Sequence, residues 1–128
     1  MPRSVVHSPD APAAIGPYSH AAAPSGHHAL YLSGQTPIDP ATGLLIDGDV
    51  GVQTRQVFAN LEAVLQSAGG SLADVVKINV YLTSMTDFVA MNEAYAQVLQ
   101  EPFPARTTVA VAGLPLGARV EIEVVASI

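Results

Sequence analysis

Residues 53–83, QTRQVFANLEAVLQSAGGSLADVVKINVYLT, change period halfway. In the first part Val57, Leu61, Val64, Leu65 and Ala68 recur at helical spacing, and Gly69-Gly70 supplies the stop. In the second part VVKINVYLT (75–83) alternates and is rich in β-branched residues, so it reads as a strand. The switch is repeated downstream. TDFVAMNEAYAQVL (86–99) is helical, with Phe88, Met91, Tyr95, Val98 and Leu99 as its stripe and Thr86 or Ser84 as its cap. ARTTVAV (105–111) and RVEIEVVAS (119–127) then read as the last two strands. Upstream, VVHS (5–8), SHAAAPSG (19–26) and HALYLSGQ (28–35) are strand candidates. APAAIGPYS (11–19) is a loop ending on an exposed Tyr18, and IDPATGLL (38–45) is turn chemistry.

The order is strands, helix, strand, helix, strands. Two helices must bury their stripes, and one face of a single sheet can take both. The expected fold is an α+β domain spanning residues 1–128, with about six strands and two helices on one face. On this reading the other sheet face is left apolar.

At 128 residues the chain is large enough for one core but not for two. It is 49% hydrophobic and only 12% charged, with a mean hydropathy of +0.34. So few charges on so small a domain suggest that a partner covers part of the surface, most simply a second copy of the chain. The formal net charge is −6, and the five basic residues (Arg3, Arg55, Lys77, Arg106, Arg119) are scattered. No basic stripe is available to neutralise phosphates, which counts against nucleic acid as a partner. The chain has no cysteine, so disulfides and thiolate chemistry are excluded. No apolar stretch approaches the roughly 20 residues of a membrane span, and no signal-peptide core precedes the domain. A soluble cytoplasmic protein without membrane contact is expected.

FPARTTVAVAGLP (103–115) contains an oddity: Arg106 heads a run that otherwise reads as a buried strand. A cation there is expensive unless something compensates it. Glu121 and Glu123 alternate with Val120, Ile122 and Val124, so both point to one face of the last strand. The plain reading is a structural ion pair between Arg106 and one of these carboxylates. The functional reading is a site in which the guanidinium grips a carboxylate substrate and a nearby acid handles water or a proton. The choice depends on whether Arg106 and Glu121 share a face, and one residue of register reverses the answer. The histidines at 7, 20, 27 and 28 show no helical pair suited to a metal and read as surface or loop residues. Asp39 and Asp47 lie in turn-rich sequence and read as solvated or turn-forming.

The segments IGPYSHA (15–21), YLSGQTPIDPATG (31–43), QTRQVFANLEAVLQSAGGSLADVVKINVYL (53–82), FVAMNEAYAQVL (88–99), FPARTTVAVAGLP (103–115) and VEIEVVA (120–126) follow one family in order. They resemble the RidA, or YjgF, family of enamine/imine deaminases over essentially the whole chain. SGQ, FPAR and EIE at these separations are specific together, whereas each alone is weak. The resemblance implies a fold similar to the small homotrimeric chorismate mutases, with three clefts between subunits. It places Arg106 on the substrate carboxylate and Glu121 as the acid that positions or activates water. It places Tyr18, Ser33 and Asn92 around the pocket, and Gly34 and Thr108 where backbone groups are lent to the ligand. Many relatives carry cysteine where this chain has Thr108; the main chain there can still serve.

The substrates so implied are enamines that tautomerise to imines of 2-keto acids, such as 2-aminoacrylate. Hydrolysis to a keto acid and ammonia needs water and a proton, with no metal or organic cofactor. Each candidate also has a plainer role. Tyr18 after a proline can simply cover the core, Ser33 can open a turn, and Asn92 can be an ordinary exposed helix residue. Two other functions stay open at this stage: a non-catalytic binder of 2-keto acids, which would not need Glu121, and an endoribonuclease, which the acidic charge disfavours.

Overall fold

The computed structural model describes residues 3–24 and 28–128; His27 lies outside them. The chain forms β1 (Arg3–Val6), β2 (Ala21–Pro24), β3 (Ala29–Leu32), α1 (Val50–Ser67), β4 (Val75–Leu82), α2 (Phe88–Val98), β5 (Ala105–Ala110) and β6 (Val120–Ser127). The strands make one six-stranded sheet in the order β1-β2-β3-β6-β4-β5. All pairings are antiparallel except β4 with β5, which run parallel and are joined through α2. This is the expected α+β domain, with α1 and α2 packed on one sheet face.

Local chemistry sets the helix ends. The Asp49 side chain accepts from the Val52 amide at 3.0 Å, so α1 begins at Val50, three residues before the helical stretch beginning at residue 53. Gly51 inside the first turn hides that start. At the other end Gly69 takes φ +85°, and the amides of Gly69 and Gly70 donate to Gln66 and Leu65 at 3.0 and 2.8 Å. Both bonds of a Schellman stop are therefore present. Ser84 accepts from the Thr86 amide and caps a short 3₁₀ turn that leads into α2.

Val57, Phe58, Leu61, Val64 and Leu65 of α1 are fully buried against Ile78, Val80 and Leu82 of β4 and Val120, Ile122 and Val124 of β6. Each such side chain contributes about 1.5–3 kcal/mol. Phe58→Ala would cost about 3–5 kcal/mol because it empties the centre of this layer. Asn60, buried on α1, donates to the carbonyls of Thr36 and Ile38 at 3.2 and 2.9 Å. It thereby ties the 33–46 connection to the helix.

Three expectations are corrected. The uncovered sheet face is mixed rather than apolar: Val5 and Tyr31 share it with Lys77, Asn79, Tyr81, Glu121 and Glu123. β5 is an edge strand, and its residues are exposed or half-buried rather than buried. His20 is not a surface residue. Its Nδ1 accepts from the Ser8 amide at 2.8 Å and its Nε2 meets the Pro12 carbonyl at 2.7 Å, which calls for the neutral Nε2–H tautomer. Asp39 does form a turn, accepting from the Ala41 amide at 2.8 Å. Among the described residues no helix is long and apolar enough to cross a membrane.

Candidate functional site

Arg106 is paired in register with Ile78, and Thr108 with Val80. Both partners are completely buried on the helix side of the sheet. Residues paired across a ladder share a face, so Arg106 and Thr108 point to the helix side as well. There the Arg106 Nη1 donates to Asn92 Oδ1 of α2 at 2.7 Å. The guanidinium carbon lies 4.7 Å from the ring centre of Tyr95 and 5.6 Å from that of Phe88. Phe88, Asn92 and Tyr95 follow one another at i, i+4 and i+7, which puts all three on one face of α2. Sequence reading assigned Phe88 and Tyr95 to the core stripe alone; their spacing with Asn92 was the available signal for their second role.

The plain ion-pair reading of Arg106 does not hold. Among the described residues the salt bridge found is Arg119 with Asp87, at 2.6 Å. Arg106 has ring and amide contacts instead of a carboxylate. Burial pushes the Tyr95 hydroxyl pKa up, and the Arg106 charge partly opposes this. The Tyr95 hydroxyl and Thr108 Oγ1 are both buried without a hydrogen-bond partner among the described residues. Unpaired polar atoms of this kind are costly, and both belong to residues on the helix side of the sheet, where Arg106 also points.

Glu121 sits elsewhere. Its register partner in β4 is Tyr81, on the uncovered face, while its neighbours Val120 and Ile122 fill the core. The strand order also separates it from Arg106. β5 is not the neighbour of β6, because β4 lies between them. Two strand spacings amount to about 10 Å, and the side chains leave opposite faces of the sheet. One chain therefore cannot bring Arg106 and Glu121 onto the same small molecule.

Glu121 instead stands beside Gly34. Gln35 and Ile122 exchange backbone hydrogen bonds of 2.9 and 3.1 Å, which pins the 33–35 segment to β6. A Cβ at Gly34 would lie 2.8 Å from Glu121 Oε2, so any side chain there displaces the carboxylate. Burial, followed by the Glu123 charge, raises the Glu121 carboxyl above the ordinary carboxylate range. Ser33 donates its hydroxyl to the Ser19 carbonyl at 2.6 Å, which fastens the Tyr18 loop to the end of β3. Tyr18 is 41% exposed. With Ser33, Tyr31 and Glu123 it lines an open groove of about 710 Å³.

The sequence-predicted residues thus fall into two groups. Arg106, Thr108 and Asn92 meet on the helix side at the β5 edge. Tyr18, Ser33, Gly34 and Glu121 gather on the uncovered face. Sequence reading missed Tyr81, which donates to Glu123 from the register position facing Glu121.

Comparison with known proteins supplies the kinship. Residues 8–128 match the family model described as Endoribonuclease L-PSP. The chain belongs to that family, which also holds the RidA proteins. A RutC family protein of Pyrococcus horikoshii is 47% identical over 124 residues, covering 97% of each chain. The 2-iminobutanoate/2-iminopropanoate deaminase of Capra hircus is 44% identical over 124 residues, 97% of this chain and 89% of the relative. The crystal structure of RidA from the Antarctic bacterium Psychrobacter superposes with a TM-score of 0.92 at 46% identity, covering 98% of this chain and 99% of that one.

Proposed function

We propose that this member of the RidA family hydrolyses imines of 2-keto acids in clefts between subunits of a homotrimer. The observation that carries the reading is the partition of the candidate residues. A guanidinium without a carboxylate partner and a carboxyl with raised proton affinity lie on opposite faces of one sheet. A ring of copies built through a heterologous contact sets the β5 edge of one against the uncovered face of the next. The open ladder edge of β5 and the exposed Val5, Tyr31 and Val109 favour such a contact. The deaminase name of the Capra hircus relative points to the same chemistry.

In this site Arg106 holds the substrate carboxylate through paired hydrogen bonds, with Asn92 and the Tyr95 and Phe88 rings fixing its plane. The main chain and hydroxyl at Thr108 stand beside the same carboxylate. Tyr18 and Ser33 of the other copy close the pocket, and the Gly34 backbone leaves room for the Glu121 carboxyl. Glu121 takes a proton from water as its oxygen adds to the imine carbon. It passes that proton to nitrogen to complete the carbinolamine, then takes the hydroxyl proton and delivers it to nitrogen as the carbonyl forms and the C–N bond breaks, releasing ammonia. The sum is imine plus water giving 2-keto acid plus ammonia. The reaction as written uses neither metal nor organic cofactor.

The word endoribonuclease in the family description names a different activity. The net charge of −6 and the scatter of the cations weigh against it. Arg119 is paired to Asp87, and the five basic residues are scattered along the chain rather than clustered in sequence.

Mixing two inactive variants tests the composite site. Arg106→Met and Glu121→Gln chains, each inactive alone, are unfolded, combined and refolded together. An intact cleft takes Arg106 from one variant and Glu121 from the other, so random assembly should restore roughly a quarter of wild-type turnover. Mixtures no more active than their components would sink the shared cleft.

A further inference from the structure

Glu121 is one of two carboxylates on its strand that face the same way, and the reaction above uses only one of them. The other, Glu123, is the better anchored. Tyr81 donates its hydroxyl to Glu123 Oε1, and Asn79 Nδ2 donates to the same oxygen at 3.3 Å. Asn79 is the register partner of Glu123, while Tyr81 is the register partner of Glu121. Tyr81 therefore stands across from the proposed acid yet reaches diagonally to its neighbour. We propose that Glu123, held by Tyr81 and Asn79, is a positioning residue that acts through Glu121, its charge shifting upward the pH range over which Glu121 exchanges a proton. The inference rests on the role given to Glu121 above.

Two hydrogen bonds converge on one oxygen of Glu123 and fix the place of its carboxylate. Tyr81 carries the reciprocal signature: its hydroxyl is pushed up to about 12, first by the bond to Glu123, then by burial and the two glutamate charges. Burial is the larger cause of the raised Glu121 proton affinity, and a carboxylate fixed in this way two residues along the strand adds to it. The result is an acid that holds its proton closer to neutral pH, where one group can both accept and return a proton.

The other charges around the pair are accounted for. Just before β6, Arg119 is paired with Asp87. On β4 Lys77 donates to Thr107 at 2.9 Å and lies beyond Asn79 from Glu121. From the β1–β3 side Arg3, Tyr18 and Tyr31 border the groove onto which Glu123 opens. Against Glu121 the 33–35 segment presents the Gly34 backbone. In the composite cleft Arg106 of a second copy also approaches Glu121, and its charge is offset by the substrate carboxylate it binds.

The test follows Glu121 directly, by carbon-13 NMR titration of its carboxyl carbon in the assembled protein. The resonance is assigned by its loss in Glu121→Gln. Glu123→Gln keeps the acceptor oxygen for Tyr81 and Asn79 and removes only the charge. The Glu121 midpoint should fall by roughly half to one pH unit, the effect of one unit charge at about 6–7 Å through a half-solvated path. Tyr81→Phe, which keeps the ring and deletes the anchor, should move it the same way by less. The acid limb of kcat/KM for imine generated in situ from an amino acid should shift with the Glu123→Gln midpoint. An unmoved midpoint in Glu123→Gln overturns the inference while leaving the role of Glu121 intact. A midpoint that moves while the rate limb stays fixed refutes Glu121 as the rate-controlling group, and the tuning role falls with it.

Discussion

Replacing Arg106 separates a ligand-binding cation from a structural one, and the structure supplies the magnitudes. Arg106→Met keeps an unbranched apolar stem at this position and removes the guanidinium that lies over Tyr95 and Phe88. The fold forfeits one half-buried hydrogen bond to Asn92 and two ring contacts. At about 1.5 kcal/mol for the bond from a charged donor and about 0.5 kcal/mol for each ring, the loss is about 2.5 kcal/mol. Breaking a buried ion pair would instead cost about 3–5 kcal/mol. Ligand binding should suffer more than folding. Losing two charge-assisted bonds to a carboxylate weakens affinity by roughly 10²-fold or more. Arg106→Lys should recover only part of this, because an ammonium cannot make the paired planar contact. The assays are thermal melting at fixed protein concentration, since assembly contributes to stability, and calorimetric titration with pyruvate or 2-ketobutyrate. A variant that loses more than about 3 kcal/mol yet binds the keto acid normally would refute the reasoning.

Glu121→Gln keeps volume and removes the proton acceptor, so turnover should fall by roughly 10²- to 10⁴-fold while keto-acid binding survives; unchanged turnover in steady-state assays would favour a binder over an enzyme. The same substitution has a signature in stability. The folded carboxyl holds its proton above the ordinary value of 4.5, so ionising it costs the fold free energy. That cost is absent below the unfolded pKa and grows as pH rises toward the folded one. Denaturant melts should therefore show Glu121→Gln matching the wild type below pH 4.5 and gaining on it as pH rises through that window; a gain at low pH instead would reverse the assignment. Gly34→Ala places a methyl 2.8 Å from Glu121 Oε2, the mobile end of a side chain. Melting should change little while kcat/KM falls at least tenfold, about 1.4 kcal/mol of lost transition-state stabilisation; intact activity would mean that the carboxylate position is not critical.

The fold was legible because its signals are local. Helical spacing from Val57 to Leu65, the Gly69-Gly70 stop and the alternation from Val120 to Val124 each name an element without reference to its neighbours. Strand order was not legible in this way. FPAR and EIE lie close in sequence, yet β4, formed earlier in the chain, inserts between β5 and β6 and carries Arg106 away from Glu121. The face of Arg106 was undecidable for a related reason. It is fixed by the parallel pairing with Ile78, a long-range register that no turn residue encodes. The uncovered face was misread because Tyr81 and Asn79 look like ordinary strand residues until Glu123 is placed across from them. His20 was misplaced because its partners, the Ser8 amide and the Pro12 carbonyl, are main-chain groups that leave no mark in side-chain spacing.

On the proposed function, the separation of Arg106 from Glu121 lets so sparse a site stay ready for its substrate. Were both groups on one face of neighbouring strands, they would lie within about 5 Å of each other and form an ion pair. A substrate carboxylate would then have to compete with Glu121 for the guanidinium, and the acid would lose its proton at low pH. On opposite faces each group keeps the protonation and the free donors it needs. The rings of Tyr95 and Phe88 and the amide of Asn92 steady Arg106 without neutralising it. Glu123, anchored by Tyr81, surrounds Glu121 with negative rather than positive charge. On the proposed function the two halves meet only across a subunit boundary, with the substrate carboxylate between the guanidinium and the acid. On that proposal assembly rather than folding completes the cleft, and the low charge and open sheet edge of this chain favour such assembly.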